Sequence, residues 1–100
     1  MKDLTKRKPY RNKAILKAAD GEACTICDIQ DGTIVFAHFN ESWAGKGYGQ
    51  KADDCAGMFL CLYHHHQYDN PDPWQHKLAD WIISRAYYRT IRRLLDKGVL

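Results

Sequence analysis

The sequence predicts a small α+β domain that ends in a long helix. Three observations lead there. The chain has 100 residues, the length of one domain. It is 45% hydrophobic with 12% aromatic residues, enough for a core and too much for a disordered chain. Two short strand-like runs lie in the middle, and helical patterns occupy both ends.

Met1 to Arg11 (1–11) reads as a flexible basic arm, because Pro9 breaks any early helix. Residues 12–100 read as the folded domain. Asn12 to Ala19 predicts a short helix that stops at Asp20-Gly21. Thr33 to His38 is β-branched and aromatic, so a strand is expected, with Ile34, Phe36 and His38 on one face. Asn40 to Lys51 contains Gly45, Gly47 and Gly49 and reads as a loop. A second strand near Gly57 to Leu60 runs into Cys61, and Leu62 to Asp69 predicts a short helix closed by Asn70-Pro71. Asp72-Pro73 is a helix-start signal, Asp as N-cap and Pro at the first position. The helix it opens is expected to run to about Lys97 and end at Gly98. Its apolar stripe shifts: Trp74, Leu78, Trp81 and Ile82 share one face, while the apolar residues from Tyr87 to Leu95 lie opposite. Either the helix breaks near Ser84, or it leaves the core and turns Arg85, Arg89, Arg92 and Arg93 toward a partner. That arginine spacing can track a phosphate backbone, though solvated arginines are an equal alternative.

The formal net charge of +3 hides a block structure. Residues 1–17 carry seven Lys or Arg against one Asp, and residues 74–100 carry six against two. Between them only Lys46 and Lys51 face nine acids. Basic ends point to a polyanion, of which nucleic acid is the commonest. The acidic, His-rich middle points to cations. No apolar run approaches the roughly 18 residues of a membrane span, so no membrane partner is expected. Met1 to Lys17 is basic with only single hydrophobes, which argues against a secretory leader and for the cytoplasm.

Cys24-Thr25-Ile26-Cys27 is a C-x-x-C pair, and Cys61-Leu62-Tyr63-His64 a C-x-x-H pair. Two such pairs can supply four tetrahedral ligands to Zn²⁺, leaving no open position, which describes a structural site. Such a site can contribute about 10–16 kcal/mol in small peptides, enough to decide whether a domain this small folds. Cys55 reads as a buried small hydrophobe, with replacement of His64 as fourth ligand as the alternative. His65 and Asp69 stand four apart and share a helical face, where an imidazole and a carboxylate can hold one divalent metal; a plain surface pair is the alternative.

The order strand, glycine-rich loop, strand, helix resembles the HNH, or ββα-metal, endonuclease superfamily, and most of all its small phage-encoded members. The carrying residues are Cys24-x-x-Cys27, Ala37-His38-Phe39-Asn40, Gly45-Lys46-Gly47-Tyr48-Gly49, Lys51-Ala52-Asp53-Asp54, Leu60-Cys61-Leu62-Tyr63-His64-His65 and Tyr68-Asp69, followed by a helix with Trp81. They span about residues 12 to 98. The resemblance implies a zinc-stapled ββα-metal fold and a metal-dependent endonuclease acting on DNA, in phage recombination or repair. It implies that His38 is the general base, an apt role for imidazole, which titrates near neutrality. His65 and Asp69 would hold a catalytic Mg²⁺ or Mn²⁺, and Asp54, or its neighbour Asp53, would orient the base. The run His64-His65-His66 leaves His66 as an alternative to His65. Ala37 stands where many relatives carry an Asp or His metal ligand. Lys46, Lys51 and the four arginines would contact DNA. Double-strand cuts at a symmetric site need two active sites, so a homodimer fits that substrate. The competing readings are a non-catalytic zinc-stabilised DNA-binding module on a degenerate HNH fold, and an adaptor that docks its Trp and Tyr helix on a protein.

Overall fold

The computed structural model describes residues 8–47, 50–70 and 77–100. Helix α1 is Lys13–Lys17, strand β1 Val35–His38, strand β2 Gly57–Leu60, helix α2 Leu62–Asp69 and helix α3 Asp80–Asp96, with a 3₁₀ turn at Ser42–Ala44. The class is α+β, as the sequence predicts. No helix among the described residues is long and apolar enough to cross a membrane.

The Asn12 side chain caps α1 by accepting from Ala14 N at 3.0 Å. Strands β1 and β2 pair antiparallel, with Phe36 opposite Phe59 and His38 opposite Gly57. The two phenyl rings meet edge to face at 6.1 Å. All four residues of β2 are buried, so both faces of this strand are covered. Gly57 is required by its neighbours: a Cβ there would lie 2.5 Å from both Ala37 O and the Phe36 ring.

Helix α3 lays Ala86, Thr90 and Leu94 against the core, with Ile83, Tyr87 and Ile91 beside them. Thr90 is the polar link: its Oγ1 donates to Ala86 O at 2.9 Å and accepts from Phe59 N at 3.1 Å. A buried β2 amide is thereby satisfied by the helix.

The short strands and helix around Cys61 fall where the sequence placed them. The last helix differs. Lys77 to Ala79 are not helical, and α3 begins at Asp80 behind Ala79, which supplies no side-chain cap. The Asp72-Pro73 signal and Trp74 lie outside the described residues. Nor does the helix break near Ser84. The Tyr87-to-Leu94 side supplies the packing face, and Trp81 is left 64% exposed. Gly98, at φ 73°, ends the helix in the left-handed conformation that glycine adopts freely, and Val99 N bonds back to Leu94 O.

Candidate functional site

Four predicted ligands converge. Cys24 and Cys27 lie on a tight knuckle, Cys61 directly follows β2, and His64 sits in the first turn of α2. The knuckle is wrapped by its own amides: Asp28 N reaches Cys24 O at 2.9 Å, Ile26 N reaches Cys24 Sγ at 3.4 Å, and Asp28 takes φ 63°. Thr25 fastens it to β2, its amide and hydroxyl both donating to Phe59 O at 2.9 and 2.8 Å.

Their ligand atoms all lie within 4.8 Å of one another. Zinc bonds of about 2.3 Å to sulfur and about 2.0–2.1 Å to nitrogen give tetrahedral edges of about 3.8 Å (S to S) and about 3.5–3.6 Å (S to N). Cys27 Sγ and Cys61 Sγ are 3.9 Å apart, and His64 Nδ1 lies 3.6 Å from Cys24 Sγ and 3.3 Å from Cys61 Sγ. The cluster can therefore hold a metal ion such as zinc. Burial lowers the His64 pKa, which favours the neutral, ligating imidazole. Burial acts upward on the Cys24 thiol, but backbone amides at Cys27, Cys61 and Ile26 outweigh it and set it below its ordinary value. Desolvation and the crowding of Cys24 push Cys27 up to about 11, so without a cation the two sulfurs do not ionise together readily. Cys55 is not part of the cluster.

A second group forms at the end of β1. His38 Nε2 lies 2.7 Å from Asp54 Oδ1. Asp54 is 1% exposed and has no unmet hydrogen-bonding atom. Its other oxygen accepts from Asn12 N at 2.7 Å, and the Arg11 guanidinium stands 3.7 Å away. Burial acts upward on the Asp54 carboxyl, but His38, the Asn12 amide and Arg11 together hold it below the usual carboxylate range. Asp53, the alternative partner for the histidine, instead accepts from Tyr10 N at 3.1 Å. Arg11 also donates to Ala52 O and Lys51 O at 2.8 and 2.9 Å. Tyr10 and Arg11, inside the span read as a flexible arm, are thus bonded to the loop before β2. Their role was invisible in the sequence, since no local pattern joins positions 40 to 43 residues apart.

The third group lies on α2. His65 Nε2 and Asp69 Oδ2 are 3.0 Å apart. Asn40, just beyond β1, donates from Nδ2 to Asp69 Oδ1 at 3.2 Å, and its amide donates to Tyr68 OH at 3.1 Å. The 3.0 Å separation is that of an i,i+4 hydrogen-bonded pair on the face of α2. Among the described residues no third His, Cys, Asp or Glu joins it. His66 is exposed and belongs to no ligand cluster.

The four arginines separate into two pairs. Arg89 donates to Thr25 O at 3.1 Å and Arg93 to Ala23 O at 2.8 Å, and Arg93 also stands 3.6 Å from Glu22. These two clamp the cysteine knuckle onto α3. Arg92 pairs with Asp96 on the surface at 3.2 Å, and Arg85 stacks on Trp81 at 5.1 Å. Lys46 and Lys51 are exposed. Comparison with protein families, with curated proteins and with solved structures returned no match.

Proposed function

We propose that the chain is a zinc-stapled, metal-dependent endonuclease that hydrolyses DNA phosphodiester bonds. The observation that carries this reading is the His38–Asp54 pair at the end of β1, with Asn40, two residues beyond His38, bonded to Asp69 of the His65–Asp69 pair. With Nε2–H donated to the Asp54 carboxylate, the lone pair of the imidazole resides on Nδ1. That atom takes the proton from a water attacking the scissile phosphorus. Asp54 acts through His38, as a positioning residue. His65 and Asp69 hold the divalent ion, Mg²⁺ or Mn²⁺, and Asn40 steadies the carboxylate. When bound, that ion supplies stabilisation of negative charge on the phosphate and the leaving oxygen. Arg85, Arg92, Lys46 and Lys51 provide exposed positive charge for the DNA backbone. The Cys24, Cys27, Cys61 and His64 cluster holds zinc as a structural staple. The HNH resemblance supports the same roles and points to phage DNA recombination or repair.

A non-catalytic zinc-stabilised DNA-binding module is the second reading. It is favoured by the lack, among the described residues, of a third His, Cys, Asp or Glu beside His65 and Asp69. The two readings part on one experiment, cleavage of labelled linear and branched DNA with Mg²⁺ or Mn²⁺. Metal-dependent cutting that is lost in His38→Ala supports the nuclease. DNA retention without cutting, unchanged in Asp69→Ala, supports the module.

A further inference from the structure

We infer that the cleft between the 3₁₀ turn and α3 is a binding site for an organic cation, a guanidinium or alkylated ammonium head. The cleft has a volume of about 370 Å³, and among the described residues its aromatic lining is Phe39, Trp43, Tyr68 and Tyr87. Phe39 is the buried hub. Its ring centroid lies 5.2 Å from Tyr87, 5.8 Å from Trp43 and 6.5 Å from Tyr68. Trp43 is 71% exposed, so its indole is open to a ligand.

The remaining lining decides the charge of the ligand. Glu41 and Asp80 both border the cleft, together with Ile83 and Ser84, and among the described residues no Lys, Arg or His does. Among the described residues neither carboxylate forms an ion pair. This contrasts with Glu22, Asp54 and Asp96, each of which has a cationic neighbour within 4 Å. Ring faces carry negative electrostatic potential, and carboxylates add to it, so the cleft repels phosphate and other anions. A neutral ligand would strip water from two carboxylates without compensation. A small metal cation holds its own water too tightly to gain from rings. A weakly hydrated organic cation satisfies both halves of the lining: its face or methyl groups meet the rings, and its charge meets Glu41 and Asp80. This site uses none of His38, Asp54, His65 or Asp69, so it stands apart from the endonuclease reading.

The test is an NMR titration of the full zinc-loaded chain, following the Trp43 indole N–H, which is assigned by its loss in Trp43→Phe. The probes are N-acetylargininamide and tetramethylammonium, with N-acetylcitrullinamide as the uncharged isostere of the first. A saturable shift with one or both cations and none with the citrulline compound is the expected result, and the tighter probe identifies the preferred head. Glu41→Gln with Asp80→Asn removes both charges from exposed positions while keeping the side-chain shapes, and should weaken cation binding about tenfold. Silence with both cations, an equal shift with the citrulline compound, or unchanged affinity in the double variant overturns the proposal.

Discussion

The cysteine cluster and the His38 region lie on opposite ends of the same short hairpin, and they are built differently. The cluster draws on three segments, and each ligand atom faces the others within 4.8 Å. Four protein ligands complete a tetrahedron, so nothing is left for a substrate. At the other end, His38 keeps one ring nitrogen unused by Asp54, and Asn40 just beyond it reaches the partly exposed His65–Asp69 pair. The first region can hold the fold together. The second carries the pairs on which the proposed chemistry rests.

Metal removal tests the closed half with the largest effect. A structural zinc contributes on the order of 10 kcal/mol in small domains, comparable to the whole stability expected for a chain of this length. Chelation, or Cys61→Ser, should therefore abolish the cooperative thermal transition seen by circular dichroism. Survival of that transition without metal would assign the cluster no structural role.

The open half should respond in activity and not in stability. If the chain cleaves DNA, His38→Ala should lower cleavage by about 10²–10⁴-fold, the usual range for a general base. Its melting temperature should move by only a few degrees, because His38 is partly exposed and one of several partners of Asp54. Unchanged cleavage in this variant would remove His38 from the mechanism.

Within the open half Asp54 serves both the histidine and the fold, since it bonds His38 and ties residues 10–12 to the loop before β2. Loss of its buried carboxylate in Asp54→Ala should cost about 3 kcal/mol, because the Asn12 amide and the His38 donor lose their acceptor. The pH dependence has a definite sign. Its folded-state pKa is depressed below the ordinary value, so the carboxylate stabilises the fold fully above about pH 4–5 and loses that contribution as pH falls toward the folded pKa. Urea midpoints between neutral and acid pH should fall less steeply in Asp54→Asn than in the parent chain. Parallel profiles would show that Asp54 is not linked to folding.

How much of this was legible depended on the distance over which residues act. The metal ligands were readable because C-x-x-C and C-x-x-H are local spacings that chemistry itself imposes. Strand β2 and helix α2 were readable because Cys61 and Asn70 punctuate them. The division of labour between Asp53 and Asp54 was not, since the two are neighbours in one loop and only residues 10–12 tell them apart. The start of α3 was missed for a similar reason. The helix begins where its Ile83, Ala86 and Tyr87 face meets the hairpin core, a tertiary condition that capping signals upstream do not encode. The aromatic cleft had no signature either: Phe39, Trp43, Tyr68 and Tyr87 follow no common period.

The arginines of α3 sharpen the comparison at its smallest scale. In sequence Arg85, Arg89, Arg92 and Arg93 form a uniform basic run, yet Arg93 holds a carbonyl of the knuckle and Glu22 while Arg92 holds only Asp96, four residues on. Arg93→Ala should destabilise the zinc-bound chain by about 1–2 kcal/mol, because it leaves the Ala23 carbonyl without its donor, while Glu22 keeps Lys97. Arg92→Ala removes an exposed i,i+4 pair and should cost at most about 0.5 kcal/mol. The order reverses for DNA. Arg92 can release its surface partner to meet a phosphate at little cost, whereas Arg93 must abandon the knuckle to do so. If the chain binds DNA, Arg92→Ala should weaken it and reduce its salt dependence by about one ion, with Arg93→Ala altering DNA affinity less at temperatures where the variant is folded. Equal losses of affinity in both variants would mean that the knuckle clamp opens on DNA, and that the closed half of the molecule is not closed during binding.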